Sequence, residues 1–210
     1  NITNIFSSNR LGLNDSLEGG QSITVGIDYD FKTLDNKDLL GLSLGQIFRD
    51  EEDKRLPIKS KMRGKSSDIV GDIYFKPNDN FEIDYNFSLD NNVDTINYNQ
   101  LETKISINNF ITSFEFLEEN NDIGSESYLT TDVKYTFDNK NSFAYSTRRN
   151  RKTNLTEFYN LIYEYRNDCL VAAIEYNKDY YQDRDLQPRE EVFFSLTFTP
   201  FTSVNSPNLR

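Results

Sequence analysis

The stretch Ser22 to Phe31 constrains the fold more than any other in the chain. Ile23, Val25, Ile27, Tyr29 and Phe31 fall on one face of an extended segment, and Ser22, Thr24, Gly26, Asp28 and Asp30 fall on the other. Side chains alternate across a β-strand, so this is a strand with one apolar and one polar side. The same unit recurs through the 210 residues, predicting about eleven strands. After Ser22–Phe31 come Leu40–Phe48, Asp68–Lys76, Phe81–Leu89, Leu101–Ile107 and Phe110–Leu117. A seventh strand is marked by Leu129, Val133, Tyr135 and Phe137, and the last four are Ser142–Arg148, Leu155–Tyr165, Leu170–Tyr180 and Glu191–Thr199. The expected fold class is therefore all-β, an antiparallel up-and-down meander.

The connections add a second constraint, because they alternate in character. Lys32–Asp38, Pro77–Asn80, Asn108–Asn109, Asp138–Asn141 and Arg166–Asp168 are short and rich in Asn and Asp. Arg49–Ser67, Asp90–Asn99, Glu118–Glu126 and Tyr181–Arg189 are longer and charged, while the eighth connection, Arg149–Lys152, is short and basic. Odd and even connections of a meander lie at opposite ends. Tight turns at one end and long loops at the other are what a transmembrane outer-membrane β-barrel shows. Most runs also approach the ~9–11 residues a tilted membrane strand needs, where an ordinary strand has about five or six. Aromatic pairs near strand ends, such as Tyr135/Phe137 and Tyr163/Tyr165, suit interfacial girdles. A soluble β-sandwich binding module and a small porin-like channel are the alternative architectures.

Composition narrows the function classes. Mean hydropathy is −0.69, yet a barrel with a polar lumen face scores low on such scales. No apolar run approaches the ~18 residues of a membrane helix. A net charge of −11 argues against nucleic acid, which needs a basic face. The chain has no His, so neither a Ser-His-Asp nor a Cys-His arrangement can form, and no enzymatic activity or cofactor is expected. Asp28, Glu82, Asp84, Asp132 and Glu175 read as a hydrated polar wall rather than as paired catalytic acids.

Several short segments, in this order and spacing, resemble the C-terminal barrel of the outer-membrane LPS-assembly protein family, LptD (organic solvent tolerance). Asn9, Arg10, Asp15, Glu18, Gly19 and Gly20 match that family's Asn-Arg-x-x-Gly-x-Asp-Arg segment and its Glu-Gly-Gly tail. Leu13 and Ser16 depart from it, standing where the family has Gly and Arg. Leu42–Phe48 is similar to a family strand with a Gly-Gln pair before an aromatic, and Ser67–Gly71 is similar to the next strand. The fullest likeness is Tyr163–Phe201, with a Tyr-rich strand, a Cys-containing turn, a charged loop and a final aromatic strand closing on Pro200-Phe201.

The resemblance implies a single domain over residues 1–210, the C-terminal part of a larger barrel. An N-terminal periplasmic domain and the first barrel strands would lie upstream. It implies insertion of lipopolysaccharide (LPS) into the outer leaflet of a Gram-negative outer membrane, with release between the first and last strands. The partners it implies are LPS, periplasmic bridge proteins, a plug lipoprotein of the LptE type and outer-membrane lipid. Cys169, beside Asp168, becomes a candidate for a disulfide to the N-terminal domain, the alternative being a small buried apolar residue. Val192, Phe194, Leu196, Phe198 and Pro200 would lie on the lateral-gate strand, where Pro188 and Pro200 either shorten the ladder or simply end the strand. Two basic groups, Lys59/Lys61/Arg63/Lys65 and Arg148/Arg149/Arg151/Lys152, would meet lipid phosphates or remain solvated loops.

Overall fold

In the computed structural model, residues 2–7, 19–56, 60–120, 125–180, 188–198 and 202–205 are described. A short helix, α1 (Ile2–Ile5), precedes twelve strands. These are β1 (Ser22–Lys32), β2 (Asp38–Arg49), β3 (Ile69–Asn78), β4 (Phe81–Leu89), β5 (Ile96–Ile107) and β6 (Phe110–Asn120). They continue as β7 (Ser125–Thr136), β8 (Asn141–Asn150), β9 (Leu155–Arg166), β10 (Leu170–Asp179), β11 (Arg189–Phe198) and β12 (Thr202–Asn205). Each strand neighbours the next in one sheet ordered β1 to β12, an all-β antiparallel meander. The chain forms two compact units, Asn1–Glu102 with Leu117–Glu126, and Thr103–Phe116 with Ser127–Arg210.

In the first unit the register carries the sequence alternation intact from strand to strand. On one face Ile27 pairs with Leu44, Leu44 with Gly71 and Gly71 with Phe87. One residue along, Asp28 pairs with Ser43, Ser43 with Asp72 and Asp72 with Asn86. Apolar rows therefore stack on one side and polar rows on the other. The apolar side is uncovered: Ile23 is 63% exposed, Val25 52% and Ile27 64%. α1 lies against β2 and β3 on the polar side. Gly26 opposite Gly45 leaves bare backbone there, and Phe6 and Ile5 occupy it. Thr24 Oγ1 donates to the Ile5 carbonyl at 3.4 Å.

The second unit repeats the pattern. Phe143, Tyr163, Ile174 and Phe194 form one cross-strand row over β8 to β11, and Ser146, Asn160, Asn177 and Glu191 form a row on the opposite face. Asn160 and Asn177 both donate to Glu175 Oε1, at 2.7 and 3.0 Å, and Asn160 also donates to Asn177. Tight turns follow their residues: Asn36 and Asn108 sit at positive φ, which Asn tolerates better than most side chains.

Burial is inverted relative to a water-soluble sandwich. Among the described residues the buried apolar side chains are Ile5 and Ile47, while Arg49, Asp53, Ser67, Asn97, Thr112, Ser127, Glu157 and Glu191 are buried polar ones. A soluble two-layer fold would cover its apolar face with a second layer. The apolar face is instead left to the surroundings, and the structure departs from the sandwich expectation for that reason.

Several boundaries differ from those expected. β5 begins at Ile96 rather than Leu101, because Asn97 and Gln100 are polar residues serving in a ladder. β8 runs on through Arg149 to Asn150, so the basic connection shortens to a turn over 151–154. β11 is followed by a further strand, β12, which pairs with Ser195–Phe198. At four residues, β12 is too short to carry a readable alternation.

Candidate functional site

The positions singled out by sequence separate by the connection or strand that carries them. The β2–β3 connection holds Lys61, Arg63 and Lys65; Lys59 lies outside the described residues. This connection is folded rather than extended. Arg49 N–H donates to the Lys65 carbonyl at 2.6 Å, Asp53 N–H to the Arg63 carbonyl at 3.0 Å, and Phe48 bridges to Ser66. Lys61 and Met62 reach a cavity of about 280 Å³ whose other walls include Ile5, Ile47, Val70 and Asp68. Asp68 Oδ2 accepts from Ser88 Oγ at 3.0 Å and Asn97 Nδ2 at 2.8 Å.

On β8 and its turn the four cations part company. Arg148 Nε meets Glu157 Oε2 at 2.6 Å, and its guanidinium lies 5.1 Å from the Tyr128 ring centre and 5.6 Å from that of Phe158. It is a packed structural group, fixed by a buried carboxylate and two rings. Arg149 pairs with Leu129 on the apolar side of the ladder and donates to Asn154 Oδ1. Arg151 lies 5.0 Å from the Phe116 ring centre, and Lys152 is exposed. Alternation along the strand thus splits Arg148 from Arg149, which a reading of them as one cluster misses.

On β11, Val192, Phe194, Leu196 and Phe198 all project on the apolar side, opposite Tyr176, Ile174, Ala172 and Leu170. Pro200 lies outside the described residues, and β11 is not the last strand, since β12 pairs with its end. Cys169 is a free, exposed thiol in the β9–β10 turn, its N–H donating to Asn167 Oδ1 at 3.0 Å. Exposure removes the buried-core alternative for this residue. Asn9, Arg10, Asp15 and Glu18 lie outside the described residues; Gly19 and Gly20 lie just before β1, Gly20 with φ 77°.

One group that sequence reasoning missed is Asp53. Its carboxylate accepts from Arg55 Nε at 3.0 Å, Arg55 Nη2 at 3.1 Å and Gly19 N–H at 2.8 Å. The Arg55 guanidinium and then the Gly19 N–H hold it well below the usual carboxylate range. The Asp-x-Arg spacing was visible, but a partner 34 residues away was not. The expected polar wall is present as a bonded surface: Glu82 meets Lys76 at 3.0 Å, and Asp84 accepts from Asn86 at 2.6 Å. No group of three metal-ligating side chains occurs among the described residues, and no described helix is long and apolar enough to cross a membrane.

Long antiparallel strands with one apolar and one polar face are consistent with the wall of a β-barrel. The chain belongs to the LptD family: the family model described as LptD, LPS transport system D, matches residues 1–132. The family is a transport and assembly component for LPS at the Gram-negative outer membrane. The match covers β1 to the middle of β7, not the Tyr163–Phe201 stretch in which the likeness looked fullest. No curated protein matches the chain.

Proposed function

We propose that residues 1–210 form the C-terminal wall of an LPS translocon barrel in the outer membrane, with β11 and its β12 extension on one side of a lateral gate. The observation that carries this reading is the continuous apolar face on strands of membrane-spanning length in a chain of the LptD family. In this reading an upstream periplasmic domain and earlier strands complete the protein, and a lipoprotein of the LptE type plugs it. Cys169, a free and exposed thiol in the β9–β10 turn, is in this reading the partner for a disulfide to the periplasmic domain. Arg149, Arg151 and Lys152, with Lys61 and Lys65, are the cations offered to lipid phosphates, whereas Arg148 is committed to Glu157.

Lateral release needs a seam with few backbone hydrogen bonds, each worth roughly 0.5–1.5 kcal/mol net. Among the described residues, β12 pairs with four residues of β11. A four-residue ladder is the kind of closure that can be exchanged. The test is a disulfide between Val192→Cys and a cysteine on the first barrel strand of the full-length protein. Locking that seam should stop LPS reaching the cell surface, and reduction should restore it. Delivery that continues through a fully crosslinked seam refutes the gate.

A further inference from the structure

The connection between β2 and β3 is tied to the segment before β1 by contacts that neither strand pairing nor LPS transport requires. Asp53 lies at the centre. Its side chain is 3% exposed although it belongs to a charged connection, and Arg55 forks onto both of its oxygens. The second oxygen also takes the Gly19 N–H. From the other side, Arg49 Nη1 donates to the Gly19 carbonyl at 3.3 Å, so Gly19 is gripped by both its peptide groups. The peptide ladder continues beneath, where Asp50 N–H donates to the Gln21 carbonyl at 3.2 Å.

Gly19 fits because it lacks a side chain. A Cβ there would lie 1.4 Å from Arg55 Nη2, and the guanidinium would have to leave the carboxylate. The same connection carries Lys61 and Met62 to the cavity walled by Ile5, Ile47 and Val70. The backbone bond from Asp53 N–H to the Arg63 carbonyl links the gripped residue to that roof.

We propose that Asp53, Arg55 and Gly19 form a clasp that holds the β2–β3 connection down over the cavity, with Met62 as the roof residue the clasp keeps in place. Charge-assisted bonds are stronger than neutral ones, and four of them, from Arg55 Nε, Nη2 and backbone N–H and from Gly19 N–H, converge here on one buried carboxylate, with the Arg55 side chain itself exposed. Met62 is half-buried in the closed arrangement, and opening the clasp uncovers the rest of it and the Ile47 side of the cavity without unpairing β1 from β2. The inference does not rest on the gate, because β11 and β12 take no part in it.

Met62 is the chain's only methionine and Cys169 its only cysteine, so two chemical probes report separate places. In the full-length protein in detergent, Met62 oxidation by dilute hydrogen peroxide is followed by peptide mass, and Cys169 alkylation is followed in parallel on a separate, reduced sample in which Cys169 is a thiol. Asp53→Asn removes the charge at nearly constant shape, and Gly19→Ala displaces Arg55. Both variants should raise the Met62 oxidation rate severalfold above its basal rate, up to the about tenfold that loss of a charge-assisted hydrogen bond gives an opening equilibrium, with Cys169 alkylation unchanged. Met62 oxidation at the parent rate in both variants overturns the clasp. So does a rise at Met62 matched by a rise at Cys169, which reports general loosening.

Discussion

Replacing Ile27 and Asp28 in turn by lysine tests the assignment of the two faces, because the residues are adjacent and point to opposite sides. β1 has eleven residues, Ile27 is its midpoint, and Ile27 is 64% exposed opposite Leu44. At about 3.3 Å rise per residue, and a tilt of roughly 40°, the strand spans about 25 Å along the membrane normal. That equals the apolar band of an outer-membrane barrel, and it puts Ile27 near the midplane. Lysine at the midplane of the lipid face costs about 2–4 kcal/mol, whereas lysine on the lumen face costs little. In water the ranking vanishes, since a substitution at an exposed site changes stability by only ~0.5 kcal/mol. The assay is reversible unfolding of the full-length protein from lipid vesicles by guanidinium, read as the shift in midpoint. Ile27→Lys should lose several kcal/mol and Asp28→Lys almost none. Equal losses, or a larger loss for Asp28→Lys, would refute the assignment of faces.

Arg148→Ala should cost about 1–2 kcal/mol, discounted because the guanidinium is partly exposed, by leaving the buried Glu157 carboxylate unpaired. Arg148→Lys should recover only part of that in the same unfolding assay, since an ammonium cannot stack between two rings. Arg149→Ala should leave the midpoint unchanged and weaken LPS binding to the purified protein. Val93 holds a left-handed φ of 63° that a β-branched residue resists, so Val93→Gly should stabilise by about 1 kcal/mol. Asp53 and Asp138 titrate below the usual carboxylate range, held there first by Arg55 and by the Asn141 side chain respectively. Each therefore stabilises its loop at neutral pH, and that contribution fades as pH falls through about 4 and below; amide protection in both loops, taken relative to the intrinsic exchange rate at each pH, should fall on acidification, and unchanged protection down to about pH 2 would contradict it.

The faces were legible because period two survives wherever a strand has one apolar side, and Phe81–Leu89 was read without error for that reason. The ends were less legible. Asn97 and Gln100 look like loop residues, yet they continue a ladder, Asn97 buried and bonded to Asp68, and β5 starts before the alternation becomes visible. β12 has too few residues to show a period at all. Among the site residues, the cations could be counted but not apportioned. Whether Arg148 or Arg149 is the packed one depends on Glu157 and Tyr128 arriving from neighbouring strands. Asp53 was only half visible for the same physical reason, since Arg55 lies two residues away but Gly19, which adds a backbone N–H, lies 34 residues away.

The apolar face also decides where the folding free energy comes from. Ile5 and Ile47 are the buried apolar side chains among the described residues, and their burial supplies at most about 6 kcal/mol. Polar-face bonds of the Asn160–Glu175–Asn177 kind each contribute only about 1 kcal/mol net in water. The large reserve is the uncovered side. Ile23, Val25, Ile27, Tyr29 and Phe31 of β1 are each about half exposed, and covering those halves with lipid supplies about 5 kcal/mol from one strand. The same face repeats on the other long strands, and a whole domain is stable by only about 5–15 kcal/mol. In the proposed barrel wall lipid is accordingly the layer that covers the apolar side, and the polar side, already bonded to itself, is the one left to face water.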